Sequence, residues 1–180
     1  DCFDGQDYYG IESYSYTLLA PRITVRYVTH EMGHTYFGGL TPCTYLHDSW
    51  NEGVTTYVDD VLTGRNVDNP LEAAIRTLNV TVPLNQMGPA HSFNGASYWR
   101  GAAVMKLLER QIGVENVLKG LRAIIQGRVG KDTTWDDLRP YFKRISGKDL
   151  KALWSHWVDG AEFLPQDKEV LAQLAKETPH

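Results

Sequence analysis

Apolar positions recur at helical spacing over most of this chain and alternate over only one stretch. In residues 10–19, Gly-Ile-Glu-Ser-Tyr-Ser-Tyr-Thr-Leu-Leu, Ile11, Ser13, Ser15 and Thr17 alternate with Glu12, Tyr14 and Tyr16, the period of two expected of a strand, here at a sheet edge. A helix is expected after Pro21, from about Arg22 to Phe37, stopped by Gly38-Gly39 because glycine enters the left-handed conformation favoured at helix C-termini. Thr41-Pro42-Cys43 then opens a loop. Asp48-Ser49-Trp50-Asn51-Glu52 begins a second helix ending near Thr63-Gly64, and Asn69-Pro70 begins a third with proline in its first turn. Val80 to Asn94, with two prolines and the turn residues Asn85 and Gly88, reads as a loop long enough to suggest function. From Ala96 the pattern is helical again: Trp99, Ala103, Leu107 and Ile112 share a face and Gly113 ends it. Further helices are expected at about 114–126, 134–145, 148–158 and 166–176, with Thr134 and Asp137 spaced as a capping pair. The expected fold is mainly α with a small β edge, an α+β arrangement. Residues 1–165 form its domain, and 166–180 form a charged, peripheral helix and tail.

Composition narrows the function classes. With 180 residues, 42% hydrophobic and 22% charged, the chain can bury one sizeable core. A net charge of −4 gives no basic footprint for nucleic acid, and no apolar run approaches the roughly eighteen residues of a membrane span. No signal peptide opens the chain, which begins at Asp1 without methionine, as expected of a processed, excised or partial sequence. Cys2 and Cys43 are consistent with a disulfide or with two thiols, so the compartment stays open.

The strongest chemical signal is His30-Glu31-Met32-Gly33-His34. On a helix this spacing turns the chain through about 400°, so both imidazoles lie on one face roughly 6 Å apart along the axis, within reach of one metal ion. Zinc suits two imidazoles because it takes nitrogen ligands and, in catalytic sites, keeps one position open for water. Glu31, adjacent to the first ligand, is placed to act as the base for that water. A third ligand is needed, and Glu52 stands in the first turn of the next helix. Ser49-x-x-Glu52 is equally a capping box, in which the glutamate would bond back to the Ser49 amide; both readings stand at this level. His47, His91 and His156 lack ligand spacing and read as solvated or hydrogen-bonded imidazoles. Asp48 and Asp59 are candidate acceptors behind a ligating imidazole.

His-Glu-Met-Gly-His-Thr-Tyr-Phe-Gly followed by Trp50-Asn51-Glu52-Gly53 resembles the zinc signature of the gluzincin aminopeptidases, the group of alanyl and leucyl aminopeptidases and leukotriene hydrolase. The neighbouring glycyl aminopeptidase branch is similar. That pattern places eighteen residues between the second histidine and the glutamate; here Thr35 to Asn51 is seventeen, with the gap beside Trp50 because Asp48 keeps its offset. Tyr98-Trp99-Arg100-Gly101-Ala102 resembles the family's Tyr-x-Lys-Gly-Ala, which implies that Tyr98 stabilises the oxyanion; Arg100 stands for lysine. A phenol remains a donor at neutral pH, as that role requires. Gly10-Ile11-Glu12-Ser13 resembles the family's Gly-x-Met-Glu-Asn more loosely, implying that Glu12 pairs with the substrate's free α-amine. Thr133 to Leu138 and Leu153 to Val158 resemble the helical part that closes the same domain.

The resemblance implies a thermolysin-like gluzincin catalytic domain lacking most of its N-terminal sheet. An upstream segment or second chain is then expected to complete the edge beside Glu12. It further implies zinc held by His30, His34 and Glu52, catalysis by Glu31 and Tyr98, and removal of N-terminal amino acids from a peptide substrate. A zinc endopeptidase, and a non-catalytic peptide- or protein-binding module, are the rival expectations.

Overall fold

A computed structural model describes residues 25–63, 70–91 and 94–177. The expected strand at 10–19, with Glu12, and also Cys2, lie outside the described residues. The chain runs through α1 (Val25–Gly33), the short strands β1 (Phe37–Gly38) and β2 (Thr41–Pro42), α2 (Trp50–Thr63) and α3 (Pro70–Arg76). A 3-10 turn (Leu84–Gln86) and a π-helical turn (Ala96–Arg100) lead into α4 (Gly101–Ile112), followed by α5 (Val114–Arg128), α6 (Trp135–Ser146), α7 (Lys151–Trp157) and α8 (Pro165–Glu177). This is the mainly α architecture expected, with β structure among the described residues confined to Phe37 opposite Thr41 and Gly38 opposite Pro42. No described helix is long and apolar enough to cross a membrane.

Local chemistry accounts for the helix starts. Asp48 accepts the Trp50 amide at 3.1 Å on one carboxylate oxygen and the Trp135 amide at 2.9 Å on the other, so a single buried side chain caps both α2 and α6. Helix N-termini carry amides without intrahelical partners, and each such cap contributes about 1 kcal/mol. Burial pushes the Asp48 carboxyl up to about 7, while the two amide bonds draw it back toward ionisation. At α6 the Asp137 carboxylate also accepts the Thr134 amide at 3.0 Å, the pairing that their spacing predicts.

Two expectations are corrected. α1 ends at Gly33 rather than Phe37: the amides of His34, Thr35 and Tyr36 each bond three residues back, and the chain tightens out of the helix. A side chain at Gly33 would place Cβ 2.8 Å from Thr55 Cγ2, so this end of α1 is drawn closely against α2 and a larger residue there requires Thr55 to move. α4 does not present one apolar face. Ala102, Ala103, Val104, Met105 and Leu108 are all fully buried, whereas Trp99 and Leu107 are only partly so. α4 is the central helix, packed by α2, α3, α5 and α7.

Around α4 the core is built on large rings: Trp50, Tyr57, Trp135, Phe142 and Trp154 are fully buried, and Trp135 meets Trp154 edge-on with centroids 6.3 Å apart. Such pairs add about 0.5–1.5 kcal/mol beyond their buried area. α8 lies on α3 and buries Leu171, Leu174 and Ala175. The 80–94 loop is held by Arg100, whose buried guanidinium donates to the Val80 carbonyl at 2.9 Å and to the Val82 carbonyl, with the Phe163 ring beneath it. Burial lowers its pKa to about 10, which leaves it charged at neutral pH, and carbonyl dipoles and a ring face supply what water would.

The closest crossing in the core is between α2 and α4. A Cβ on Gly53 would stand 2.6 Å from Gly101 Cα, and one on Gly101 would stand 2.7 Å from Gly53 Cα. Beside this crossing the Ser49 hydroxyl bonds the Ser97 hydroxyl at 2.9 Å. The π-helical turn is thereby fixed against the first turn of α2, which positions the site described next.

Candidate metal centre

His30 and His34 project from the end of α1 and Glu52 from the first turn of α2, and the three converge. Glu52 Oε2 lies 3.5 Å from His30 Nε2 and 3.3 Å from His34 Nε2, and one ligand atom from each residue falls within a 4.8 Å group. Tetrahedral zinc with ligands at about 2.0–2.1 Å separates them by about 3.3–3.4 Å, so the donor set fits that ion in spacing as well as in kind. His34 Nε2 is buried and aimed at Glu52 Oε2, and it presents its lone pair to a metal once its proton is lost. The ring is held from behind: Nδ1 lies 3.0 Å from the Phe37 carbonyl, an acceptor only, so Nδ1 carries the proton and Nε2 faces Glu52. Tightening of the chain at His34 does not separate the two rings, whose centroids are 4.9 Å apart and nearly perpendicular.

The electrostatics follow from this crowding. Burial alone would raise Glu52, which is fully enclosed, but the two imidazoles outweigh it and hold the carboxyl well below the ordinary range. Burial would lower His34, yet the Glu52 charge wins and pushes it up to about 9. His30 is lowered, because burial there exceeds the attraction of Glu52. The metal-free site thus biases Glu52 and His34 toward their charged forms and His30 toward the neutral imidazole.

Glu52 is not spent on the capping box that its spacing from Ser49 allows. Its Oε2 faces the imidazoles, and its Oε1 accepts the Tyr45 hydroxyl at 3.0 Å. The Ser49 hydroxyl goes to Met87 and Ser97 instead. Glu31 is buried on α1 between the two histidines. Tyr98, half-buried on the π-helical turn, stacks beside His30 with ring centroids 6.0 Å apart and planes 25° from parallel. Glu12 lies outside the described residues. Of the two aspartates considered as acceptors for a ligating imidazole, Asp48 caps helices instead, while Asp59 accepts the Thr29 hydroxyl and its charge acts on His30. Cys43 donates its thiol to the Asp48 carbonyl at 3.4 Å.

Three residues beside the cluster were not singled out from the sequence. Thr55 Oγ1 and Asn51 Nδ2 each lie 3.4 Å from His34 Nδ1, and Tyr45 reaches Glu52 from the loop before α2. Asn51 precedes Glu52 directly, a signal that was available. Tyr45 carries none, because it takes a left-handed backbone (φ 57°) that non-glycine residues rarely adopt.

Comparison with known proteins follows the same lines. The Peptidase family M1 domain matches residues 12–157. Aminopeptidase N of Streptomyces lividans is 25% identical over 154 residues, covering 74% of this chain and 18% of that protein. Aminopeptidase M1-A of Oryza sativa subsp. japonica is 28% identical over 147 residues, covering 72% of this chain and 17% of its own length. The chain thus spans about a fifth of the length of the curated relatives it matches. A crystal structure of a mutant M1 zinc metallopeptidase from Deinococcus radiodurans, bound to a Tyr-Ser-Ala substrate, superposes with a TM-score of 0.67 at 22% identity, over 81% of this chain and 35% of that one. The fold is therefore shared with a zinc peptidase domain. With the family domain matched over most of its residues, the chain belongs to peptidase family M1, the gluzincin aminopeptidase group that its motifs resemble.

Proposed function

We infer that this chain is the metal-bearing catalytic part of a zinc peptidase that removes N-terminal residues from peptides, with His30, His34 and Glu52 as ligands. The observation that carries the reading is the spacing of the three ligand atoms, 3.3 and 3.5 Å from Glu52 Oε2, in a donor set that fits zinc. Zinc bound there supplies Lewis-acid polarisation of the scissile carbonyl. Glu31 takes a proton from the attacking water and passes it to the leaving amine. The Tyr98 phenol donates to the oxyanion, a charge that develops only in the transition state. The Phe37 carbonyl keeps His34 in the tautomer that presents Nε2. The exopeptidase reading is supported by the names of the matched relatives and by the resemblance around Glu12.

The test is metal content by atomic absorption together with hydrolysis of matched free and N-acetylated peptides. Zinc at one equivalent and cleavage of the free peptides alone are expected. Cleavage of both sets would make the chain an endopeptidase, and zinc without hydrolysis would make it a binding module. Absence of zinc would overturn the metal assignment.

A pH dependence follows from the charges at the site. Ligation through His34 Nε2 requires loss of a proton held with a pKa of about 9, so zinc affinity is expected to rise about tenfold per pH unit and to level off above that value. Competition with a chelator of known affinity at several pH values measures the slope. In the metal-free chain the raised His34 pKa contributes stability that is full below 6.5 and lost as pH rises through about 9. The depressed Glu52 contributes above 4.5 and is lost in acid. Metal loading and metal-free stability therefore move in opposite directions on the alkaline side.

A further inference from the structure

Glu52 offers two oxygens, and a carboxylate that can swing gives a metal one or both. In this chain one of them is already engaged. The Tyr45 hydroxyl lies 3.0 Å from Oε1, and the Asn51 amide nitrogen lies 2.6 Å from the Tyr45 oxygen. The phenol has a single proton. It is donated to Glu52 Oε1, so the Tyr45 oxygen accepts from the Asn51 amide nitrogen. This fixes the Asn51 amide with nitrogen toward the phenol. Donors and acceptors therefore run in one direction, from Asn51 to Tyr45 to Glu52.

The backbone adds an independent observation. Tyr45 is the single described non-glycine residue with positive φ, at 57°, a conformation that costs roughly 1–3 kcal/mol and persists where its surroundings over-determine it. The strained residue is also the one that reaches Glu52.

We propose that Tyr45 is a positioning residue for the metal site: its hydroxyl, held by Asn51, ties down Glu52 Oε1 so that Oε2 alone completes the ligand set with His30 and His34. The proposal rests on the zinc reading of the site, and its test separates the two. Tyr45→Phe keeps the ring and removes the one donor. Zinc affinity, measured by chelator competition on the full chain, is expected to fall about 10- to 100-fold. The cobalt-substituted protein supplies a readout that packing alone does not move. If Glu52 is freed to ligate through both oxygens, the visible absorption of tetrahedral cobalt in the wild-type chain weakens toward that of a five-coordinate ion. Asn51→Ala, which leaves the phenol in place but unfixed, should shift both measurements in the same direction by less, and it stands in if Tyr45→Phe does not fold. Wild-type affinity with an unchanged cobalt spectrum in the folded variants would overturn the proposal and leave the zinc reading intact. A wild-type chain that binds neither zinc nor cobalt would overturn both.

Discussion

Glu31→Gln is expected to retain zinc and to lose turnover by about 100- to 10,000-fold, the range that a positioned base supplies. Glu31 sits on α1 directly after His30 and is buried beside the cluster, so glutamine of nearly the same shape fills the same space. The substitution removes a group that accepts a proton and leaves the three ligand atoms unchanged. The loss should fall on kcat with little change in KM, because substrate binding does not need the base. Steady-state kinetics and metal analysis on the same preparation check both halves. Turnover within twofold of wild type with zinc bound would remove Glu31 from the chemistry. Loss of zinc would show instead that its carboxylate supports the ligands.

The second large effect comes from a residue that touches no substrate. Gly53→Ala places a methyl group 2.6 Å from Gly101 Cα, 2.9 Å from the Gly101 carbonyl carbon and 3.0 Å from the Ser97 carbonyl oxygen. All three are backbone atoms, so no side-chain rotation relieves the clash, and α2 and α4 must part. A destabilisation of about 3 kcal/mol is expected, at the upper end for overpacking. On helix propensity alone alanine would stabilise by about 1 kcal/mol, so the two arguments differ in sign and the urea midpoint decides between them. Separation of the helices also moves Glu52, next to Gly53, relative to Tyr98, three residues before Gly101. Activity should therefore fall further than the folded fraction does. A raised midpoint would mean that the crossing is looser than the geometry requires.

Legibility of the chain from sequence divides along physical lines. Where an element is bounded by chemistry local to it, its limits were readable: Gly113 follows the end of α4, and the Thr134–Asp137 pair marks the start of α6. Where a boundary is set by another part of the molecule, it was not. α1 stops at Gly33, where Thr55 of α2 lies against it, and nothing within five residues of Gly33 encodes that neighbour. The Asp48 carboxylate was considered as an acceptor behind a ligating imidazole but serves two helix ends, one of them 87 residues away. The apolar spacing after Ala96 indicated a helix and one buried face, but not that the other sides are covered too, since a central helix is packed all round and its periodicity is blurred. At the site, the histidines were plain from their spacing. Whether Glu52 capped a helix or faced them was not decidable locally, because the answer lies in where Ser49 sends its hydroxyl.

The π-helical turn at Ala96–Arg100 has a consequence for the register of its side chains. Such a turn is equivalent to one residue inserted into a regular helix. Loss of a single codon there, at Trp99 for example, restores ordinary helical register and rotates Tyr98 by about 100° about the axis relative to α4. The core contacts of α4 lie downstream of the change and keep their places. Ser97 would turn with Tyr98 and lose its 2.9 Å bond to Ser49, so the extra residue in this turn is what lets the α2 contact and the Tyr98–His30 stack exist together.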